Sequence, residues 1–176
     1  FVANQNLAGD GIHYEPRWFK PWPRGTVSSI DLDGRRVPVG DLFFSIDGIT
    51  IGFEICEDAW VADRPGEALA RAGVDIILNP SASHFSFGKH EVRRRLALEG
   101  SRAFGVGYVY ANLLGCEAGR LIYDGDTVIC SHGEVVAEGA RFSFRDVQVT
   151  SGIIDVDRSR LARRRQTSFR PLLEEG

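Results

Sequence analysis

Residues 65–79 read Pro-Gly-Glu-Ala-Leu-Ala-Arg-Ala-Gly-Val-Asp-Ile-Ile-Leu-Asn, and this stretch decides the class of the fold. A proline near the first turn and a glycine at the end bound a short helix, Pro65 to Gly73. The apolar run that follows at once, Val74 to Asn79, has the length and composition of a buried strand. A helix that leads directly into a buried strand is typical of a crossover connection in an α/β protein.

The alternation continues on both sides of this stretch. Upstream, Val37 to Ser45 and Thr50 to Ile55 are strand-like, and the Asp47-Gly48 dipeptide between them is a hairpin signal because it tolerates positive φ. Downstream, Lys89 to Phe104 has helical spacing and Gly107 to Leu113 is an apolar strand. The order strand, helix, strand, helix, strand predicts an α/β layer fold.

The long predicted helix has an apolar face and an arginine-rich face. Three successive arginines point in three directions on a helix, so we interpret Arg93, Arg94 and Arg95 as a solvated surface and not as a nucleic-acid patch. The predicted apolar face consists of four residues at helical spacing, Val92, Leu96, Ala103 and Phe104.

The pattern changes in the last third of the chain. Thr127 to Cys130, Val135 to Ala137 and Val147 to Ile154 predict antiparallel strands, which gives a sheet of mixed direction. The arginine-rich tail from Asp157 is interpreted as a solvated helix that leads into a linker.

Composition limits the classes of partner. A chain of 176 residues with 43% hydrophobic and 26% charged residues is of the size and type of one globular domain. A net charge of -3 gives no basic surface for nucleic acid or an anionic membrane. No apolar run approaches the roughly 20 residues of a membrane span. We therefore expect a cytoplasmic protein with a small polar substrate, no nucleic-acid partner and no membrane partner.

The cysteine and histidine spacings favour neither a disulfide framework nor a metal site. Cys56, Cys116 and Cys130 are widely separated, without a C-x-x-C pair. The four histidines share no metal-ligand spacing. The chain begins at Phe1 and contains no methionine, so we expect it to be a piece of a longer reading frame.

One cysteine stands where a nucleophile could be mounted. In Gly52-Phe-Glu-Ile-Cys-Glu-Asp-Ala-Trp60, Cys56 ends a predicted strand, a place where a thiol can be exposed yet held rigidly. From the residue alone, an inert, small apolar side chain is the simpler interpretation, and the acidic flank opposes thiolate formation.

Separated segments together resemble the nitrilase-type glutaminase domain of glutamine-dependent NAD synthetases. The segment around Cys56 resembles the nucleophile motif of that family. The other matching segments are Leu7 to Phe19, Asn79 to Ser83 with Gly88-Lys89, Tyr110 to Gly115 with Tyr123 to Gly125, and Val147 to Ser168. The resemblance covers nearly the whole chain.

The resemblance implies a partial αββα sandwich with mixed sheets. Residues 1–165 would form the glutaminase domain, with its N-terminal part missing, and residues 166–176 would begin a linker to an absent synthetase domain. A glutamate, a lysine and a cysteine would convert L-glutamine to glutamate and ammonia through a thioester. This domain would need no cofactor or metal, whereas ATP, Mg and deamido-NAD would bind in the synthetase domain of the same parent chain. The resemblance also implies a homo-oligomer.

The family's catalytic roles map onto a few positions. Cys56 is the expected nucleophile, and the backbone N–H of Glu57 is a candidate oxyanion donor beside a pocket role for its side chain. Glu15 matches a second pocket carboxylate, with a salt bridge to Arg17 as the alternative. Asn4 stands where the family has its catalytic lysine, which removes a formal positive charge from the site. The catalytic glutamate is expected upstream of residue 1.

The substrate positions also follow from the resemblance. Ser83 and Lys89 match residues that contact glutamine, whose amino-acid end requires an acceptor for its ammonium and a cation for its carboxylate. Asp10 falls at another pocket-lining position.

Two other hypotheses stay open. The chain could be part of a free-standing amidase acting on another amide, or a degenerate glutaminase-like domain, for which Asn4 is the main support. We expect the chain by itself to be inactive and to expose an apolar sheet edge.

Overall fold

The computed structural model describes residues 20–117, 121–166, 169 and 171, which form ten strands, three α-helices and one 3₁₀ helix. The strands are β1 (Val27–Leu32), β2 (Arg35–Gly40), β3 (Phe44–Ile46), β4 (Ile49–Phe53), β5 (Ile76–Ser81), β6 (Gly107–Asn112), β7 (Leu114–Glu117), β8 (Leu121–Asp124), β9 (Thr127–Ser131) and β10 (Glu134–Glu138). The helices are the 3₁₀ helix Cys56–Trp60, α1 (Pro65–Arg71), α2 (Lys89–Phe104) and α3 (Val156–Arg165). None of these described helices has both the length and the apolarity that crossing a membrane requires.

Six strands form a mixed central sheet in the order β10-β9-β6-β5-β4-β3. Its middle strands β4, β5 and β6 are parallel, and β3, β9 and β10 are antiparallel to their neighbours. Helix α1 connects β4 to β5, and α2 connects β5 to β6. Both parallel steps are therefore crossover connections, and the predicted α/β fold with a mixed sheet is confirmed.

One predicted turn is confirmed, and one predicted strand is interrupted by a turn. The hairpin predicted at Asp47 and Gly48 joins β3 to β4, and both residues have positive φ, 50° and 78°. The strand predicted over Val37 to Ser45 is instead interrupted after Gly40, whose φ of 140° turns the chain between β2 and β3.

The strand predicted over Val147 to Ile154 is wrong. This segment has no regular strand structure and lies against the sheet through side chains: Gly152 lies beside Val136 of β10, and Ile154 packs beside Gly107 of β6. The apolar residues Val147, Val149 and Ile153 are exposed, so their alternation does not mark a buried strand face.

The main core lies between the sheet and the helices α1 and α2. Its buried members are Leu69, Val74, Ile77, Ala97, Val106, Tyr108, Tyr110, Val128 and Cys130. The predicted apolar face of α2 is partly wrong, since Val92 is 39% exposed and Ala103 is exposed. Small residues face the sheet instead, and a side chain at Gly100 would press on the Tyr108 ring.

Helix α3 is docked and is not the solvated helix that its arginines suggest. Arg163 is buried and donates to the carbonyl of Val74 and to Asp75. Arg160 donates to both carboxylate oxygens of Asp75, at 2.9 and 2.7 Å. The arginines pair with one buried acid at the start of β5, a partner that local sequence does not reveal.

Candidate active site

Cys56 occupies a sharp turn at the carboxyl end of β4. It begins the 3₁₀ helix with a φ of 46°, a left-handed conformation that costs a residue other than glycine on the order of 1–3 kcal/mol. The buried Asp58 stabilises the turn, since its carboxylate accepts the Ile55 N–H at 2.9 Å and its own N–H donates to the Ile55 carbonyl at 2.9 Å. A half-buried thiol on a sharp turn after a strand has the geometry of a nucleophile elbow.

Behind this turn, Glu54 is fully buried and bonded through both oxygens. Arg64 donates to Oε2 at 2.6 Å, the Tyr108 hydroxyl donates to Oε2 at 2.5 Å, and the Gly66 N–H donates to Oε1 at 3.0 Å. Burial and the Glu54 charge raise the pKa of Tyr108, which therefore stays a neutral donor. Sequence reasoning missed this network, although a lone acid in an apolar strand was a signal that a buried partner must exist.

Two tyrosines from other elements share the surroundings of the Cys56 thiol. Burial raises the pKa of Tyr110 on β6, and the negative charges of Cys56 and Asp126 also raise it, against Arg93, which lowers it. Burial, Glu117 and Cys56 raise the pKa of Tyr123 on β8. The Cys56 thiol is thus near enough to Tyr110 on β6 and Tyr123 on β8 to interact electrostatically with both.

Ser83 follows β5, and the side chain of Asn112 hydrogen-bonds both of its backbone groups. Its N–H donates to Asn112 Oδ1 at 2.8 Å, and its carbonyl accepts from Asn112 Nδ2 at 2.9 Å. Asn112 ends β6, the neighbouring parallel strand. The predicted substrate residue Ser83 therefore lies at the same edge of the sheet as Cys56, and it is buried.

Lys89 begins α2 and extends toward the same edge. Its Nζ lies 3.4 Å from ring nitrogens of His84 and 5.6 Å from the centroid of the Trp60 ring. Trp60 ends the 3₁₀ helix that Cys56 begins. The structure thus brings Lys89 to the 3₁₀ helix of the candidate nucleophile, whereas the sequence places them 33 residues apart.

Arg93 corrects the interpretation of the arginine run as solvated. Its residue is 1% exposed, and its guanidinium donates to Asp124 at 2.8 and 2.9 Å. It also donates to the carbonyls of Ser83, at 2.7 Å, and His84, at 2.9 Å. Successive residues on a helix point in different directions, so the three arginines differ in exposure. Arg93 faces the sheet edge, and only Arg95 of the three is exposed.

His90 also has partners that its spacing in the sequence does not show. Its Nδ1 lies 2.9 Å from buried Asp126, and its Nε2 lies 3.2 Å from Glu138. Ligand atoms of these three residues lie within 4.8 Å of one another, close enough to hold a metal ion. Arg93 and Arg94 lie 3.5 and 3.6 Å from the two carboxylates, so the protein supplies cations of its own there.

The remaining predicted site residues have different outcomes. Glu57 is half-buried in the 3₁₀ helix, directly after Cys56. Asn4, Asp10 and Glu15 lie outside the described residues, so their roles stay predictions. The structure thus brings Cys56, Glu57, Ser83 and Lys89 to one edge of the sheet.

Comparison with known proteins shows which fold this chain shares. No protein-family model matches the chain. An amidase from Nesterenkonia sp. AN1 is 19% identical and superposes with a TM-score of 0.63, covering 91% of this chain and 52% of the amidase, which shows the shared fold. The chain therefore shares the fold of this amidase, and its Cys56 begins the 3₁₀ helix that follows β4.

Two relatives narrow the class. A glutamine-dependent NAD(+) synthetase from Cytophaga hutchinsonii is 42% identical with a TM-score of 0.74, over 85% of this chain and 24% of that one. A putative glutamine-dependent NAD(+) synthetase from Schizosaccharomyces pombe is 36% identical over 86% of this chain and 23% of its own length. The chain belongs to the glutamine-dependent NAD(+) synthetase family, and it spans about a quarter of the length of these relatives.

Proposed function

We propose that this chain carries the nucleophile of a glutaminase domain that releases ammonia from glutamine. The observation that carries the proposal is the left-handed turn that mounts the half-buried Cys56 at the carboxyl edge of parallel strands. Ligands of open α/β sheets bind at that edge. The Nesterenkonia amidase, which shares this fold, is described with a covalent acetamide adduct on its active-site cysteine.

In the proposed reaction, the Cys56 sulfur attacks the side-chain amide carbon of glutamine. The C–N bond breaks, the nitrogen leaves as ammonia after gaining a proton, and a thioester remains. Water then attacks the thioester carbonyl, which releases glutamate and restores the thiol. The Glu57 N–H is the proposed oxyanion donor, and Ser83 and Lys89 are proposed to bind the amino-acid end of glutamine.

The ammonia is proposed to serve a synthetase domain of the same parent protein, where it amidates ATP-activated deamido-NAD to NAD. ATP, Mg²⁺ and deamido-NAD are assigned to that domain, and this chain is assigned no cofactor. We further propose a cytoplasmic homo-oligomer. The names of the relatives, glutamine-dependent NAD(+) synthetases, support the use of glutamine and the link to NAD synthesis.

The test is glutamate release from glutamine by the intact protein, with and without Cys56→Ala. Removal of a nucleophile should reduce kcat by at least about a thousandfold. Cys116→Ala is the matched control because Cys116 is exposed, and it should leave the rate unchanged. Glutamate release that survives Cys56→Ala would refute the proposal.

A degenerate, non-catalytic domain is the second candidate, and Asn4 is the observation that favours it. An asparagine amide donates a hydrogen bond but carries no charge to stabilise a developing anion. If the degenerate interpretation is right, glutamate release appears only after Asn4→Lys. If the sequence as it stands is already active, Asn4 does not mark a lost catalytic lysine.

A further inference from the structure

A buried cluster lies beside the candidate site, formed by Arg93, Asp124, Asn112 and Ser83. Arg93 uses all three of its nitrogens there: Nη1 on Asp124, Nη2 on the Ser83 and His84 carbonyls, and Nε on the Ser83 hydroxyl at 3.3 Å. Asn112 closes the cluster from β6 by bonding both backbone groups of Ser83. The Ser83 backbone is therefore held from two separate elements.

The Arg93 cluster also reaches Lys89. The carbonyl of His84 accepts from Arg93, and the His84 ring lies 3.4 Å from the Lys89 Nζ. On the other side of Lys89, His90 is bonded to Asp126, which Arg93 Nη1 approaches at 3.5 Å. The Arg93 guanidinium thus contacts the Ser83-His84 segment on one side of Lys89 and, through Asp126, the His90 side chain on the other.

The fork shape of arginine is essential to this arrangement. A planar guanidinium can bond one carboxylate and two carbonyls at fixed angles, whereas a lysine ammonium is a point charge that cannot span all three. Asp124 balances the charge, and Arg141 bonds it from the opposite side at 2.9 Å. The cluster is therefore a densely hydrogen-bonded support for a loop that otherwise lacks regular structure.

We propose that Arg93 is a positioning residue that sets the separation of Ser83 and Lys89 and so determines affinity for the amino-acid end of the substrate. This inference rests on the proposed glutaminase function. Arg93 acts on binding and not on the thiol, because its bonds go to the substrate loop and none goes to Cys56. A misplacement of about 1 Å can cost an enzyme up to about a hundredfold in rate, so a shifted loop should also measurably weaken the contacts to the amino-acid end of the substrate.

The experiment measures glutamine protection of Cys56 against alkylation by iodoacetamide in the intact protein. Iodoacetamide is a small amide without an amino-acid end, and the labelled cysteine is identified by peptide mass spectrometry. The alkylation rate without glutamine measures the reactivity and accessibility of the Cys56 thiol. The half-protecting concentration is the glutamine concentration that halves this rate, and it measures the affinity of the substrate loop for glutamine. This readout needs no turnover, so Asn4 does not affect its interpretation.

Arg93→Lys should raise the half-protecting concentration about tenfold or more while the unprotected alkylation rate stays unchanged. Arg95→Lys, an exposed arginine two residues along the same helix, should change neither quantity. Asn112→Ala removes the other support of Ser83 and should raise the half-protecting concentration as well. This variant supplies the test if Arg93→Lys does not fold.

Three results would count against the inference. Wild-type protection by glutamine in folded Arg93→Lys would overturn the positioning role. An equal loss of alkylation and protection would show a general structural role instead. Absence of glutamine protection in the unaltered protein would overturn the proposed function together with this inference, and it is recognisable because no variant is involved.

Discussion

Two buried aspartates at opposite ends of the same parallel strands have nearly the same surroundings. Asp124 lies between Arg93 and Arg141 at the carboxyl edge of the sheet. Asp75 lies between Arg160 and Arg163 at the amino edge, where it also accepts from the Thr50 hydroxyl at 2.9 Å. Each acid joins distant parts of the chain, and each is almost inaccessible to water.

The difference lies in what each cluster supports. The Asp75 cluster, formed by Asp75, Thr50, Arg160 and Arg163, fastens α3 to the starts of β4 and β5. The Arg93 cluster supports the loop that carries predicted substrate residues. Identical chemistry therefore has a structural role at one edge and a proposed binding role at the other, because ligands of open α/β sheets bind at the carboxyl ends of strands.

The largest effect should come from breaking either cluster. Asp75→Asn and Asp124→Asn should each lower the free energy of unfolding by about 3–5 kcal/mol, because each removes the main counter-charge of a buried arginine, Arg163 or Arg93. Urea denaturation measures this loss. Only Asp124→Asn should also raise the half-protecting concentration of glutamine. A rise of equal size in Asp75→Asn would remove the distinction between the two edges.

Acid should weaken both clusters in the same pH range. Burial raises the pKa of Asp75 and Asp124, but bonds from Arg160 and Thr50, and from Arg93 and Arg141, outweigh it and lower both below the usual 3.8. A lowered folded pKa gives stability that is complete above the unfolded value and is lost as pH falls through the folded one.

The free energy of unfolding should therefore decline as the pH falls from above the usual value of 3.8 to below it. The double variant Asp75→Asn with Asp124→Asn should show a flatter pH dependence over this range in denaturation experiments. An unchanged slope would mean that other carboxylates dominate the acid response.

The smallest effect is expected at an exposed pair of similar geometry. Arg102 lies 2.6 Å from Glu99 on the solvent side of α2, and both side chains are more than half exposed. Water and salt screen such pairs, so Arg102→Gln should leave the denaturation midpoint almost unchanged. A loss as large as that of Asp75→Asn would show that burial is not what distinguishes these pairs.

Local sequence predicted the elements around β4, α1 and β5 because their signals are local. Pro65 opens α1, Gly73 follows its end with a φ of 88°, and the Asp47-Gly48 turn forms as expected. The predicted strand Val74 to Asn79 overlaps β5, which the structure places at Ile76–Ser81. The position of Cys56 after a strand was also predicted from local sequence, because the strand-like run Thr50 to Ile55 immediately precedes it. Its role as a nucleophile was predicted from the family resemblance.

Hydrogen-bond and ion-pair partners from distant segments could not be predicted from local sequence. The burial of Arg93 and Arg163 depends on Asp124 and Asp75, 31 and 88 residues away. Arginine runs are usually solvated, so the pattern favoured the wrong environment for both. The hydrogen-bonding of Glu54 was missed for the same reason, because Tyr108 lies 54 residues further along the chain.

The sequence by itself determined the helix and strand order from β4 to β6, the Asp47-Gly48 turn and the family, because propensity, glycine and proline placement and motif residues are properties of short segments. Only the tertiary structure decided which charges are buried and which residues meet around Cys56. Burial of a charge is favourable only where a counter-charge and hydrogen-bond acceptors converge on it. Around Cys56 that convergence comes from β4, β5 and β6 ending at one edge of the sheet, and around Asp75 it comes from α3 packing on the starts of β4 and β5.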